Sequence, residues 1–262
     1  MLLVVVAAFV CLGVLGSLSA LAYGLGNIRV ATETQTLPSG MRSLTIDTGD
    51  DPVTLRLVTD INATVPRIDS RIITTASDSQ LTIANDEASS RVTLGASGSG
   101  LFRFSRTGEI EVLLPPDVAR GLKVTITQRA GSLTTDADLD QLVARTDNGA
   151  VTLGGSARRV DVGVGEGDVG TRTRIAVTET FRATTESGGI AVEFRTPPRT
   201  TEAIADGDVT VGLPGPGPYR VRAQSGRPPG TTMVTVRETA DPNAPGVTAQ
   251  SKSGNVLVAE LR

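Results

Sequence analysis

Residues 146–177 read TDNGAVTLGGSARRVDVGVGEGDVGTRTRIAV. Apolar and polar residues alternate through Val151-Thr-Leu153, Val160-Asp-Val162 and Ile175-Ala-Val177. A period of two puts successive side chains on opposite faces, the pattern of a strand buried on one side. The pairs Asn148-Gly149 and Glu166-Gly167 punctuate these strands. Glycine suits such corners because it reaches positive φ without a Cβ clash.

Working outward, the glycine recurs. Gly131, Gly149, Gly167, Gly188, Gly207 and Gly226 follow in steps of 18, 18, 21, 19 and 19 residues, and Gly108 and Gly254 flank the series. Two positions beyond most of these glycines the residue is aliphatic: Ile110, Leu133, Val151, Val169, Ile190, Val209 and Val256. Seven and five positions before them stand Val124 and Ile126, Leu142 and Ala144, Val160 and Val162, then Phe181 and Ala183. Polar-Gly pairs also suit a meander of hairpins. The repeated step and the in-register aliphatic columns instead predict a parallel β-solenoid, all-β, with coils of 18–21 residues. Its structural turn glycines are Gly108, Gly131, Gly149, Gly167, Gly188, Gly207 and Gly254. Before Gly207 the inward positions fall on Thr200 and Glu202, so a shifted coil is expected there. The Pro-rich runs Leu213–Tyr219 and Arg227–Gly230 are expected to bulge as loops, because Pro donates no ladder hydrogen bond. Regular coils are expected over 106–262 and irregular first coils over 30–105, as one domain spanning 29–262.

The 262 residues contain no His, one Cys and no Trp, with aromatics at 3% and a formal charge of −3. Absence of His removes Ser-His-Asp and Cys-His catalysis and imidazole-ligated zinc. The lone Cys11 makes neither an internal disulfide nor a thiolate cluster. A weakly acidic chain poor in rings lacks what nucleic-acid binding requires, so no nucleic-acid partner is expected.

From Leu2 to Ile28 no side chain is charged. Such a run exceeds the roughly 20 apolar residues that cross a bilayer as a helix. It predicts a transmembrane anchor or signal-anchor over 1–28, hence a membrane partner. A signal peptide cleaved near Ala20-Leu-Ala22 is the alternative, although a basic n-region is missing.

Chemistry has few places to reside. Gly165-Glu-Gly-Asp-Val-Gly170 satisfies the dinucleotide fingerprint, but the strand pattern Thr171–Val177 follows where a phosphate-binding helix is needed. Glu166, Asp168, Asp206 and Asp208 sit at equivalent corners, and Asp136, Asp138 and Asp140 share one side of an extended chain. Calcium needs about six to eight converging oxygens, and the intervening Ser187-Gly-Gly189 corner offers no carboxylate, so these read as solvated turn residues. Arg158, Arg159, Asp161, Arg172 and Arg174 are the candidates for carboxylate-and-base chemistry on sugars. Adjacent strand residues diverge, so Arg158 and Arg159 are expected on opposite faces. Asn62-Ala-Thr64 fits a glycosylation sequon and carries no weight. No catalytic residue, metal or cofactor is assigned.

The stretches Glu109-Ile-Glu-Val-Leu-Leu-Pro115 and Leu122-Lys-Val-Thr-Ile126, followed by Glu166-Gly-Asp-Val169 and Asp206-Gly-Asp-Val-Thr-Val211, resemble the bacterial "putative adhesin" domain family. Asn148–Leu153 and Ser253–Val258 match more loosely, and the resemblance covers about 105–262. It implies a Gly-punctuated β-solenoid at the bacterial cell membrane, extracytoplasmic, with no catalytic residues to carry over. The expected function is non-catalytic: adhesive or scaffold binding of glycan, wall polymer or protein. A polysaccharide-acting enzyme using carboxylates and an envelope-stress sensor are the alternatives.

Overall fold

The computed structural model describes residues 29–74, 81–86, 88–95, 107–226 and 230–261. Strands account for nearly all regular structure there. The first group comprises β1 (Arg29–Thr36), β2 (Ser43–Asp47), β3 (Val53–Thr59), β4 (Arg67–Thr74), β5 (Leu81–Asn85), β6 (Ser89–Leu94) and β7 (Thr107–Leu114). One short helix, α1 (Pro116–Ala119), follows. The middle group is β8 (Lys123–Asn148), β9 (Val151–Leu153), β10 (Gly155–Glu166), β11 (Val169–Thr171), β12 (Ile175–Ser187) and β13 (Ile190–Thr196). The last is β14 (Thr200–Ala205), β15 (Val209–Pro214), β16 (Arg220–Gln224), β17 (Thr232–Val234), β18 (Gly246–Ser251) and β19 (Val256–Leu261).

The middle group closes on itself. β8 pairs with β10, β10 with β12, β12 with β13, β13 with β11, β11 with β9, and β9 with β8, every pair parallel. The 26-residue β8 makes closure possible by serving both sides of the ring. Leu142, Val160 and Phe181 meet in register inside it, as do Leu133, Val151, Val169 and Ile190. All are buried, and each such side chain contributes roughly 1.5–3 kcal/mol of apolar burial. Phe181 and Phe194 pack edge to face, centroids 5.0 Å apart.

The all-β expectation agrees with this architecture; the uniform solenoid behind an N-terminal helix does not. A closed barrel of six parallel strands carries outer strands, and several of those run the other way: β1 against β4, β4 against β7, β5 against β6. Chain order also breaks. β18 and β19 insert between β14–β15 and β16–β17, since β14 and β16 both pair with β18, and β15 and β17 both pair with β19. Coils of constant length cannot produce that order. The membrane span is corrected too: among the described residues no helix is long and apolar enough to cross a membrane. Residues 1–28, on which that expectation rested, lie outside the described residues.

Before Gly207 the inward residues are Thr201, Ala203 and Ala205, while Thr200 is exposed and Glu202 half-exposed. The strand reaches its corner one residue sooner than in the preceding repeat. Thr201 thereby faces Phe181, a small residue making room for a large one in a close-packed interior.

Candidate functional site

Three neighbouring strands, β8, β10 and β12, build one outer face. Alternation sends Ala144, Val162 and Ala183 inward and leaves Arg145, Gly163 and Thr184 side by side outside. Gly163 and, two residues on, Gly165 supply no side chain. Both flanking strands do, so a trough runs over the middle strand. It encloses about 730 Å³ and is lined by Arg145, Asp147, Asn148, Thr184, Glu186 and the glycines. At strand spacings of about 4.8 Å it is about 10 Å from β8 to β12, wide enough for one extended polymer strand.

The rim is polar. Arg145 is held by Asp161, Nη2 to Oδ2 at 2.9 Å, and also donates to the Ala144 and Asp161 carbonyls. Asn148 donates to Glu166 Oε2 at 3.1 Å. Asp147 lies 3.7 Å from Arg129. Glu186 has no ion-pair partner among the described residues. Carboxylates therefore outnumber guanidinium groups around the trough.

Further along the same face, Arg158 and Arg159 converge instead of diverging. Both donate to Glu179 Oε2, at 3.0 and 2.7 Å, and Arg158 also grips Asp140. The register between β10 and β12 slips between Ala157 and Arg159, and a slip of this kind re-aims side chains. The Arg158 hydrogen bond holds Asp140 below its ordinary carboxylate value, and the Arg159 bond does the same for Glu179. Hydrogen bonding to Asp140 raises Arg158 in turn. Arg174 pairs instead with Glu193, a contact separate from the Arg158–Arg159 cluster on Asp140 and Glu179.

The acidic corners have a different task. Asp168 Oδ1 accepts the Gly189 N–H at 2.7 Å, and Asp208 Oδ1 accepts the Asn255 N–H at 2.7 Å. Each carboxylate ties its corner to the equivalent corner of the neighbouring repeat, which explains why Asp follows Gly in the Gly-Asp-Val motif. Asp138 takes the Ser156 hydroxyl at 2.6 Å. Among the described residues no three His, Cys, Asp or Glu side chains converge to hold a metal ion.

The turn glycines divide into two kinds. Gly131, Gly149, Gly167 and Gly188 have φ of 118°, 148°, 133° and 134° and stack in one column, joined by Gly207 and then Gly254. A Cβ on Gly149 would strike the Gly131 carbonyl, and one on Gly167 the Gly149 carbonyl. Gly108 is not at a turn: it lies within β7, where a Cβ would meet the Arg71 carbonyl at 2.6 Å. In Gly165–Gly170 no helix follows the glycines, and β11 and β12 take its place. Sequence reasoning passed over Gly163 and Gly165 as trough-formers. The available signal was their position, two glycines on the outward side of Val160-Asp-Val-Gly-Val-Gly165.

No protein-family model and no curated protein matches the chain. Solved structures to which the chain shows a likeness include a "putative adhesin" from Parabacteroides distasonis ATCC 8503, with TM-score 0.47, 9% identity, and 89% of this chain and 97% of that one covered. Another from Bacteroides fragilis NCTC 9343 has TM-score 0.45 and 12% identity, with the same coverage of 89% and 97%. A "putative lipid binding protein" from Parabacteroides distasonis ATCC 8503 has TM-score 0.41 and 11% identity, covering 91% of this chain and 98% of its own. At these scores the likeness transfers no ligand, partner or residue role.

Proposed function

We propose that the protein is a non-catalytic binding module of the bacterial cell envelope that holds one strand of a hydroxyl-rich polymer, a glycan or wall polymer, in the trough over Gly163 and Gly165. The trough itself carries this reading. Its floor is bare backbone, and its walls offer guanidinium, carboxylate, amide and hydroxyl groups at the spacing of neighbouring strands. Surplus carboxylates disfavour an anionic polymer and suit a neutral or amine-bearing one. The ion pairs along the face hold these side chains in place and lower the entropic cost of binding.

The test is calorimetric titration with oligomers of N-acetylglucosamine and of glucosamine, comparing the native chain with Gly163→Leu. A Cβ at Gly163 meets the flexible Arg145 Cδ at 3.1 Å and no backbone, so the substitution fills the trough without breaking the fold. Binding by the native chain that weakens at least about tenfold in the variant supports the reading. No binding to either oligomer, or equal binding by both proteins, refutes it.

A further inference from the structure

We infer that the core binds two water molecules as partners of Gln128, one linking it to Thr48 and the other linking it to Thr146. The three residues are buried, at 1%, 1% and 3% exposure for Gln128, Thr48 and Thr146. Thr48 Oγ1, Gln128 Oε1 and Thr146 Oγ1 find no hydrogen-bond partner among the described residues. A buried polar atom left unpaired is costly, and three in one place call for a common explanation.

They are consecutive steps of one column. Gln128 and Thr146 each stand three residues before a corner glycine, Gly131 and Gly149, and those glycines stack. Thr48 lies on the other side of Gln128: Asp47 faces Thr127 of β8, and the Thr48 N–H donates to the Thr127 carbonyl. Beyond Thr146 the column is satisfied without help. Val164 is apolar and takes the next place. The Thr185 hydroxyl donates to the Gly188 carbonyl at 3.0 Å, and Ser251 Oγ accepts the Gly254 N–H at 2.7 Å.

The Gln128 amide selects the occupant. Its Nε2 donates to the Val53 and Ala130 carbonyls, so both N–H groups are taken. That fixes the amide's orientation and leaves Oε1 as an acceptor with two lone pairs. The hydroxyls on either side are able to donate, but neighbouring strands lie about 4.8 Å apart, too far for a direct bond. Two hydrogen bonds of about 2.8 Å through one water oxygen span that gap. Each water donates one proton to Oε1 and shares a hydrogen bond with the hydroxyl on its side, which accounts for all three atoms. The three groups are uncharged, whereas a hard cation takes carboxylate oxygens, so water fits where a metal ion does not. The site ties β2 to β8 through side chains and does not depend on the trough.

NMR of the native chain is the direct experiment. Water magnetisation should pass to the Gln128 side-chain amide protons and the Thr146 methyl, with the sign of water held longer than the molecule tumbles. Thermal melting is the second experiment. Val164 shows that the column accepts Val, so Thr48→Val combined with Thr146→Val keeps the shape and removes both hydroxyls. Gln128 Oε1 is then stranded, and Tm should fall by about 2 °C or more. Thr201→Val is the control. Its hydroxyl is also unpaired, but Phe181 and Val247 flank it, so its removal should leave Tm unchanged or raise it. No transfer from water, a double variant that melts at or above the native temperature, or an equal fall in Thr201→Val overturns the proposal.

Discussion

Arg158 closes on Asp140 with two parallel hydrogen bonds, Nε to Oδ1 at 2.7 Å and Nη2 to Oδ2 at 2.9 Å. Such forked contacts favour the ionised carboxylate. The folded state therefore holds Asp140 below its ordinary 3.8. A carboxyl lowered by folding contributes stability above its unfolded value and loses it as pH falls through the folded one. Asp140→Asn should melt at a lower temperature than the native chain at pH 6, and that gap should shrink progressively below about pH 4. Thermal melts across pH 2–6 check this; a gap independent of pH would show that the fork is not ionic in effect.

The glycine column makes a sharper demand. At Gly149 and Gly167, φ is positive and a Cβ would meet the carbonyl of the glycine beneath. Backbone cannot yield as a flexible side chain does. Either Gly→Ala change should cost about 3 kcal/mol or more. Gly170, whose Cβ would find only the Ala191 carbonyl at 3.6 Å, should accept Ala within about 1 kcal/mol. Urea unfolding of Gly149→Ala and Gly170→Ala measures the contrast.

Tyr219 is buried and its hydroxyl donates to the Pro214 carbonyl. Burial, with the Glu260 charge as a lesser cause, raises its ionisation above the ordinary 10.0. A group raised by folding contributes below its unfolded value and loses that contribution as pH climbs through the folded one. With two tyrosines in the chain, ultraviolet titration should show this phenol ionising above pH 10, absent in Tyr219→Phe. Simple ionisation at the ordinary value would contradict the burial.

The aliphatic columns were legible, because they repeat at fixed distance from the corner glycines as Leu142, Val160 and Phe181 do, but the closed barrel they line was not. What that spacing cannot reveal is direction. β4 alternates as cleanly as β3, yet runs antiparallel to its neighbours because pairing is decided by residues far away in sequence. A fixed offset from glycine also fails where one residue is missing, which is why Thr201 rather than Thr200 faces inward. The Arg158–Arg159 convergence was hidden for a related reason, since a register slip between partner strands leaves no local trace. Gly163 and Gly165 were visible as letters but not as a space, because a trough exists only once Arg145 and Thr184 are known to flank it.

The insertion of β18–β19 between β14–β15 and β16–β17 sets an order of events. As the chain leaves the ribosome, β16 and β17 emerge ahead of β18 and β19, which among the described residues are the strands they pair with. They must wait, tethered, until residues 246–261 arrive and slot in beneath them. The outer layer is thus made of chain that precedes the layer beneath it. A chain cut after residue 240 would hold a barrel with an unseated flap, and proteolytic loss of residues 246–261 would release two layers instead of one.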